Sequence, residues 1–465
     1  MSFRFVLFAS LLGLLDASGY QCQGPIKLSP PSDLTKPLFW PSIWNDSMPP
    51  ITFNSQQNCE WQVTVPDGLF ASAVFYRDAP SSIGIWVKYP NGYGTGLDNK
   101  DHNPFIFTSP QFGIYIGKSS LEGAFSFKIT WSKYPNAIRT NGNLLRGGRP
   151  IAQSPNPYLT TWTADTKVSL AAFTLKNTSH TPLLRQTAVY DGDSTSSNYL
   201  GNLLQILNSN QAMISPGNKM TLYTFGLDQL INYPLYMAQD HSVDQDIGHL
   251  KGWNCPSDTE CPVTINAIST NAVIATVDSK RTQYIKSFQG FPSSATLQVY
   301  EGMITNQTMI ASFTSNNYQN FLPLAVKGTL KQYLLDSSLM TIQLSNDADD
   351  AKWATVYDGR IINVHSFDYG TNSYRQDVAE TFSTPKNQKL YFAFNAFNTY
   401  FNVDTTLSIT IYRDGAVVFN HTYSSSDRPT DMSLRVYGDK LTVTYSTKGN
   451  YSKGCQVDVV TTNNR

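Results

Sequence analysis

Short alternating segments constrain the fold of this chain more than any other feature. β-Branched and aromatic residues occur at every second position, or in short runs, and clusters of Gly, Pro, Asn and Asp separate the segments. The clearest examples are residues 84–88, 112–116, 124–131, 220–225, 389–394, 406–412 and 440–445. The pattern predicts an all-β protein of sandwich domains, with short helices only at residues 201–212 and 324–335.

The first residues predict secretion. Arg4 is followed by an apolar run over residues 5–15 and by the small residues Ala17-Ser18-Gly19. This pattern indicates a signal peptide that is cleaved near Gly19, because the run is shorter than the roughly 20 residues of a membrane span. No later apolar run is long enough to span, and residues 457–465 lack a lipid-anchor tail. We expect a secreted, extracellular protein without a membrane span.

Composition narrows the class of partner. Lys+Arg and Asp+Glu both number 34, so the net charge is zero, and charged residues make up 15% of the chain against about 25% in an average globular protein. The absence of a basic excess argues against nucleic acid as a partner. A chain of 465 residues also exceeds one ordinary domain, so several are expected.

The cysteines predict disulfides, which are the default in an oxidising compartment. We expect Cys22 to pair with Cys59, and Cys255 with Cys261. Cys455 is then left over, either free and buried or bonded to another chain. The chain has no CxxC motif, and the spacings fit no zinc site.

Five Asn-x-Ser/Thr tripeptides fit the same compartment. Together with a signal peptide they predict N-glycosylation on exposed turns. The predicted sites are Asn45, Asn177, Asn306, Asn420 and Asn450.

Internal self-similarity indicates duplicated domains. Tyr190-Asp191-Gly192 recurs as Tyr357-Asp358-Gly359, and Tyr300-Glu301-Gly302 is a variant. Residues 295–313 and 406–423 form a second similar pair, each with an apolar strand, a glycine turn and a glycosylation tripeptide.

The stretch CEWQVTVPDG, residues 59–68, with Cys22 upstream, resembles the start of a CUB domain, and Ser215-Pro216-Gly217-Asn218 resembles a later CUB element. The Pro-rich segment between the two cysteines, with Trp40-Pro41, makes residues 22–131 similar to the CUB-like domain of nematode secreted proteins. The resemblance implies an extracellular jelly-roll sandwich with a role in host defence. The second disulfide of a standard CUB domain is not visible before Trp131.

The predicted architecture is therefore a series of tandem CUB-like jelly-roll β-sandwich domains. We expect a signal peptide at 1–19, the CUB-like domain at 20–134, degenerate CUB-like sandwiches at 135–250 and 251–345, and a fourth sandwich at 346–465.

Two groups of acidic residues are candidate metal ligands. Asp191 and Asp358 recur in the Tyr-Asp-Gly turns, where they stabilise the turn or bind calcium as in some CUB domains. Residues 241–249 contain two His and two Asp, but their polar surroundings favour a solvated linker over a metal site. No cofactor is expected; calcium is the one ion that the resemblance suggests.

Four aromatic residues lie in Pro/Gly-rich loops, where binding sites concentrate. Trp40, Trp44, Tyr89 and Tyr93 form a sugar-binding platform, or else they cap the ends of the sandwich.

The sequence contains no recognisable catalytic motif. We expect a non-catalytic extracellular binding protein of innate defence, with a protein or a glycan as its ligand. The alternatives are a structural luminal or matrix protein that assembles through Cys455, and a secreted hydrolase. The sequence leaves the oligomeric state open.

Overall fold

The computed structural model describes residues 19–22, 24–135, 137–277, 282–396, 398–429 and 434–464. The chain forms two compact units, Met1–Asn136 and Ala137–Arg465. Apart from Gly19, the predicted signal peptide lies outside the described residues. The sheets pack in pairs as β-sandwiches, so the predicted fold class is confirmed. No helix in the described part of the chain combines the length and apolar character that crossing a membrane requires.

The first unit is one sandwich. Its sheets have the strand orders β1-β4-β9-β6-β7 and β2-β10-β5-β8, and β3 pairs with β10. The strands are β1 (Pro25–Leu28), β2 (Leu38–Trp40), β3 (Thr52–Phe53), β4 (Cys59–Thr64), β5 (Leu69–Asp78), β6 (Ile85–Lys88), β7 (Gly94–Gly96), β8 (Phe105–Thr108), β9 (Gln111–Ile116) and β10 (Gly123–Lys133).

Strand β4 shows why alternation specifies this fold. Cys59, Trp61 and Val63 point into the core and are fully buried, whereas the residues between them are more exposed. The Trp61 ring lies edge-on to Phe127 with ring centroids 5.5 Å apart. Such a pair adds about 0.5–1.5 kcal/mol to the stabilisation from burial. A shift of one residue in register would turn these side chains to solvent.

The second sandwich begins the second unit. Its sheets have the orders β11-β13-β18-β15-β16 and β12-β19-β14-β17. Its elements are β11 (Arg139–Leu144), β12 (Ile151–Gln153), β13 (Leu159–Ala164), β14 (Val168–Ala172), β15 (Thr187–Asp191), β16 (Tyr199–Asn202), α1 (Leu203–Ser209), β17 (Met213–Ile214), β18 (Lys219–Thr224), β19 (Tyr236–Asp240) and 3₁₀ helices at Thr178–Gln186, Leu227–Gln229 and His241–Val243.

The third sandwich repeats this arrangement. Its sheets have the orders β20-β22-β27-β24-β25 and β21-β28-β23-β26. Its elements are β20 (His249–Trp253), β21 (Cys261–Ala267), β22 (Ala272–Val277), β23 (Thr282–Gln289), β24 (Leu297–Glu301), β25 (Met309–Phe313), α2 (Tyr318–Phe321), β26 (Leu324–Lys327), β27 (Leu330–Leu335) and β28 (Ser338–Ser345).

The fourth sandwich has sheets of four strands each, ordered β29-β36-β31-β34 and β30-β35-β32-β33. Its strands are β29 (Ile361–His365), β30 (Val378–Ser383), β31 (Leu390–Asn395), β32 (Thr406–Arg413), β33 (Ala416–Tyr423), β34 (Arg435–Gly438), β35 (Lys440–Ser446) and β36 (Gln456–Thr462).

All four sandwiches share one topology. With the strands counted within each sandwich and β3 set aside, the first three have sheets ordered 1-3-8-5-6 and 2-9-4-7. In each of these three, strand 1 pairs in parallel with strand 3. The fourth sandwich has the same order without strand 1. The repeat expected from the sequence is therefore a repeat of topology.

A tyrosine-to-glycine turn marks the same hairpin in every sandwich. It lies where strand 5 of the first three sandwiches, and the corresponding strand β32 of the fourth, ends, at residues 89–92, 190–192, 300–302 and 412–415. The glycines have positive φ angles of 84°, 99°, 74° and 81°. This left-handed conformation suits glycine, which has no Cβ to clash.

This topology decides between the two proposed repeats. Residues 295–313 and 406–423 are the hairpins β24–β25 and β32–β33, which occupy equivalent places. The match between Asp191 and Asp358 is wrong, because Asp191 ends β15 whereas Asp358 precedes β29. The residue equivalent to Asp191 is Glu301, at the end of β24.

One of the two predicted helices is present. Helix α1 begins after Asn202, whose side chain accepts a hydrogen bond from Gln205 N at 3.0 Å. The other predicted helix is wrong, because residues 324–335 form strands β26 and β27 around Gly328. Nearly every side chain of both strands is buried. Full burial removes the alternation of apolar and polar residues that identifies a strand.

The buried side chain of Arg360 links the third and fourth sandwiches. Its guanidinium donates hydrogen bonds to the carbonyl oxygens of Trp353 (2.9 Å), Thr355 and, in the third sandwich, Pro323 (3.2 Å). Its central carbon lies 5.1 Å from the centroid of the Trp353 ring. Burial lowers the pKa of Arg360 to about 10, so the group stays charged at neutral pH.

Glu301 joins the same two sandwiches. Its carboxyl is fully buried and accepts hydrogen bonds from the backbone N–H groups of Asp368 and Tyr369 in the fourth sandwich. Gly328 gives it room, since a Cβ there would lie 2.3 Å from Glu301 Oε1. The pKa of Glu301 is raised to about 8, mainly by burial and also by nearby Asp368, against the lowering effects of Arg149 and the two N–H groups.

Replacing Arg360 with alanine should strongly destabilise the second unit. The change leaves buried carbonyl groups without donors and opens a cavity, at a cost of about 3–5 kcal/mol. Chemical denaturation followed by fluorescence should show an earlier unfolding midpoint. The control R413A removes an exposed arginine. Its free energy of unfolding should stay within about 0.5 kcal/mol of the native value, as expected for a surface substitution. Equal midpoints for R360A and R413A would contradict the role assigned to Arg360.

Glu301 should make stability fall as pH rises. Because its pKa is raised on folding, the folded protein holds an extra proton between about pH 4.5 and 8. The contribution of this group is complete below pH 4.5 and is lost as pH rises through 8, at ~1.4 kcal/mol per pH unit. Between pH 5 and 9 the melting temperature should therefore fall less for E301Q than for the native protein. The exposed control E260Q should follow the native curve; parallel curves for E301Q would refute the assignment.

Candidate binding site between the second and third sandwiches

The second and third sandwiches meet along a short parallel contact between two strands. Phe173, just after β14, bridges to Gly252 of β20, and Thr174 N donates to Gly252 O at 3.1 Å. The ring of Phe173 fills the space beside Gly252, where a Cβ would approach within 2.2 Å of the ring. A glycine at 252 therefore permits the close approach.

An apolar cluster closes the interior of this junction. The second sandwich contributes three fully buried side chains and the third contributes four more. They are Ala171, Phe173, Met237, Leu250, Val273, Ala275 and Leu330. Burial of this kind of surface contributes about 25 cal/mol per Å² and holds the two sandwiches together.

Asn254 fixes the outer edge of the junction. It is 2% exposed, and its Nδ2 donates to the carbonyl oxygens of Thr174 and Pro234 at 2.8 Å each. Its backbone N donates to Thr174 Oγ1 at 3.1 Å. A single amide thus pairs two carbonyl groups of the neighbouring sandwich.

A cleft of about 420 Å³ opens beside Asn254. It is lined by residues of both sandwiches: Lys176, Asn232, Tyr233, Pro234, Asn254, Cys255, Asp258, Val277, Thr329 and Asn346. This volume is in the lower part of the range for ligand pockets, about 300–1,000 Å³. Small polar side chains dominate the lining.

One wall of the cleft combines an aromatic ring with a cation. The Lys176 ammonium lies 5.2 Å from the centroid of the Tyr233 ring, and Lys176 N donates to the Tyr233 hydroxyl at 3.2 Å. The ring offers an apolar surface, and its hydroxyl and the ammonium offer polar contacts beside it.

The opposite wall is held by a buried glutamine. Gln283 is fully buried, and its Nε2 donates to Asn346 Oδ1 at 3.2 Å. Its Oε1 accepts hydrogen bonds from Thr276 Oγ1 at 2.7 Å and from the Tyr333 hydroxyl at 2.8 Å. The Asn346 amide is therefore presented in a fixed orientation.

The disulfide between Cys255 and Cys261 closes the loop that carries Asp258. The Asp258 carbonyl accepts hydrogen bonds from Asn346 N at 2.5 Å and from Ser345 Oγ at 3.3 Å. The cleft thus has one carboxylate and one ammonium among neutral amides and hydroxyls. This set suits a ligand with many hydroxyl groups better than a strongly charged ligand.

Both expected disulfides are present, and Cys22 is bonded to Cys59. Of the two states left open for Cys455, the structure shows the free and buried one. Burial raises the pKa of its thiol to about 12, so little reactive thiolate forms at neutral pH.

The aromatic platform predicted in the first sandwich does not exist, since two of its four members belong to the core. Trp44 is 1% exposed and its Nε1 donates to the carbonyls of Met48 and Pro49, while Tyr89 packs on Phe107. Trp40 is half-buried and stacks on Phe127. Tyr93 alone is well exposed, at 40%. The rings fill the sandwich rather than present a surface.

The candidate metal ligands are not brought together. The Asp358 carboxylate accepts a hydrogen bond from Asn463 N at 2.8 Å, which is the role of a turn-stabilising group. Asp191 lies in another sandwich. Within the described ranges, no cluster of three or more His, Cys, Asp or Glu side chains has the arrangement of a metal site. Asp191 and Asp358 therefore do not form one shared ion site.

The segment 241–249 connects the second sandwich to the third, but it is packed rather than solvated as its composition suggested. His241 Nδ1 lies 2.8 Å from Asp244 Oδ1, and Asp244 is 5% exposed. Gln239 Nε2 at 2.9 Å and Ser169 Oγ both donate to the other carboxylate oxygen, Asp244 Oδ2. Since Asp244 makes these hydrogen bonds, the segment is a packed turn between β19 and β20.

The predicted glycosylation sites are all exposed. Four lie in loops or turns, as expected, and Asn420 lies in the edge strand β33. The asparagines are Asn45, Asn177, Asn306, Asn420 and Asn450.

Sequence reasoning missed the cleft. Asn232, Asn254 and Asn346 lie in polar segments that resemble ordinary loops, and they meet only because two sandwiches pack together. The conspicuous signal was the short Cys255–Cys261 spacing, which fixes a loop beside the junction.

This architecture defines a protein of tandem, disulfide-containing β-sandwich modules. Residues 17–135 match a family model described as a CUB-like domain, so the predicted resemblance of this part of the chain is confirmed. Two further models, each described as a domain of unknown function, match residues 150–225 and 242–347. A search of curated proteins found no match.

Three solved structures give an idea of the similarity. The CUB1-EGF-CUB2 region of human MASP-1/3 shares 10% identity, covers 44% of this chain and 97% of its own, and has a TM-score of 0.17. The same region of rat MASP-1 shares 9% identity, covers 45% and 99%, and has a TM-score of 0.16. The extracellular region of zebrafish Gpr126/Adgrg6 shares 10% identity and has a TM-score of 0.20. The match covers 96% of this chain and 53% of the zebrafish chain. TM-scores this low do not assign a function to this chain.

Proposed function

We propose that this chain is a secreted, non-catalytic binding protein of innate defence that holds a short glycan in the cleft between its second and third sandwiches. The observation that carries the proposal is the Tyr233 ring set among amide, hydroxyl and carboxylate groups in one cleft. Sugars combine apolar ring faces with many hydroxyls, and such a surface matches both.

Several features support the extracellular part of the proposal. The CUB-like domain, the two disulfides and five exposed asparagines in glycosylation tripeptides all suit an oxidising, secretory environment. The role in defence rests on the resemblance to nematode secreted CUB-like proteins.

The geometry of the cleft favours binding over association through broad apolar contact. Asn254 and Asn346 are held by neighbours, so little side-chain entropy is lost when a ligand binds. Asp258 and Thr329 are exposed on the rim and supply acceptor and donor groups. Lys176 supplies a cation that would favour sugars with an acidic substituent.

The alternative of assembly through an intermolecular disulfide loses its support. Cys455 is fully buried, and its sulfur is within reach of another chain only if the fourth sandwich opens. The hydrolase alternative has no matching constellation in the contacts described. Ser169 donates to Asp244 rather than to the imidazole of His241, so the base cannot take the proton of the hydroxyl in this arrangement.

Glycan binding should depend on both walls of the cleft. Purified secreted protein should be retained on a subset of glycans in an array, with or without calcium. T329R, at an exposed residue of the rim, should obstruct the cleft and reduce affinity at least tenfold, and Y233A should do the same by removing the apolar surface. The matched control Y158A removes an exposed tyrosine elsewhere in the second sandwich and should leave affinity unchanged.

Two controls sharpen this test. Because Asn177 adjoins Lys176, the array is repeated after removal of N-glycans, to exclude competition from a glycan of the protein itself. Native-like melting of T329R shows that it folds. Retention that survives both T329R and Y233A would place the ligand elsewhere, and an absence of any retention would overturn the glycan proposal.

A further inference from the structure

A second cleft, of about 390 Å³, lies between the third and fourth sandwiches. Asn306, the asparagine of the tripeptide Asn306-Gln307-Thr308, is one of its lining residues. Across the cleft lie polar residues of the fourth sandwich, among them Asn363, Gln456 and Asp458. The cleft therefore has the asparagine of a glycosylation tripeptide on one wall and hydrogen-bonding groups on the other.

The turn that carries Asn306 is held rigidly. Thr308 is fully buried, and its Oγ1 donates to Met303 O at 2.5 Å. Glu301 N donates to Thr308 O at 3.0 Å and closes the hairpin. Gly370 of the fourth sandwich lies directly against this turn, since a Cβ there would meet Gln307 O at 2.0 Å. The turn is thus locked between the two sandwiches while Asn306 stays exposed.

The far wall is a buried amide and carboxylate network. Asn363 is 1% exposed, and its Nδ2 donates to Asp458 Oδ1 at 2.7 Å. Gln456 Nε2 donates to Ile310 O at 2.9 Å, across the junction. The amide oxygen of Asn363 pairs with His365 Nδ1 at 3.0 Å. The second carboxylate oxygen of Asp458 and the amide oxygen of Gln456 keep hydrogen-bonding capacity for a ligand.

An aromatic residue borders the same cleft. The side chain of Tyr400 is 37% exposed and lines the opening, and Tyr369 lies deeper at 5%. Tyrosine rings provide flat, partly apolar surfaces against which a sugar ring can pack. The cleft therefore combines an aromatic surface, fixed amides and a carboxylate.

We propose that an N-glycan attached to Asn306 occupies this cleft and that its core N-acetylglucosamine packs between the third and fourth sandwiches. The amide and hydroxyl groups of the sugar hydrogen-bond to Gln456 and Asp458, and its ring packs on Tyr400. The glycan thereby becomes an internal brace of the second unit. This inference requires the secretory route of the proposed function but not ligand binding at the other cleft.

Accessibility of the glycan tests the inference. The full chain is secreted from a eukaryotic host and digested, without denaturation, with a peptide N-glycosidase in ¹⁸O-water, and release at each site is followed by mass spectrometry. Release at Asn306 should be at least tenfold slower than at the exposed Asn45, Asn420 and Asn450. After denaturation, all sites should be released at similar rates.

A variant separates occupation of the cleft from rigidity of the turn. Y400A removes the ring from the opening and should raise the native release rate at Asn306 at least threefold, whereas N420Q should leave it unchanged. The glycan should also stabilise the protein, so N306Q should lower the melting temperature by about 2 °C or more, an amount typical of a lost ~1 kcal/mol. N450Q, which removes an exposed glycan, should not lower it.

The outcomes are distinct. An unglycosylated Asn306 beside occupied exposed sites, or a release rate equal to theirs, would overturn the inference while leaving the proposed function intact. Slow release that Y400A does not change would assign the protection to the turn instead, and would also overturn it. A protein without glycans at any site would remove the inference together with the secretory route.

Discussion

The arrangement of the last three sandwiches depends on buried polar side chains whose hydrogen bonds are completed by a neighbouring module. Asn254 pairs two carbonyls of the second sandwich, Arg360 reaches a carbonyl of the third, and Glu301 accepts two N–H groups of the fourth. Separating the modules would leave these groups without partners until water reached them, at about 1–3 kcal/mol for each neutral group. The modules therefore act as one body, and the clefts between them keep fixed walls.

Equivalent turns in the second and third sandwiches place their acidic residues in different environments. At the end of β15 in the second sandwich, Asp191 is half-exposed, whereas the equivalent Glu301 at the end of β24 in the third is fully buried against the fourth. Glutamate has one more methylene than aspartate, and Gly328 leaves space for its carboxyl. A small change within a repeated turn thus converts a surface residue into a contact between modules.

Sequence patterns predicted the strands and hairpins, which alternation and turn residues determine. They missed the contacts that form only when distant segments or separate sandwiches pack together. The strand over CEWQVT and the hairpin of residues 406–423 follow from local patterns, and both are present. Asp191 and Asp358 were matched wrongly because a Tyr-Asp-Gly tripeptide suits many turns. Trp44 lies in a Pro-rich loop, yet that loop folds inward, which no local pattern shows. Asn254 and Gln283 had no distinguishing signal, since their partners are distant in sequence.

The capacity to bind follows from the junctions rather than from the modules themselves. Shared topology does not specify function. Where two sandwiches meet, a cleft remains between them, and amides that satisfy the junction also line it. The lining of the cleft beside Asn254 includes no asparagine of a glycosylation tripeptide, whereas Asn306 lines the other. The first therefore suits a ligand that exchanges, and the second suits one that is covalently held.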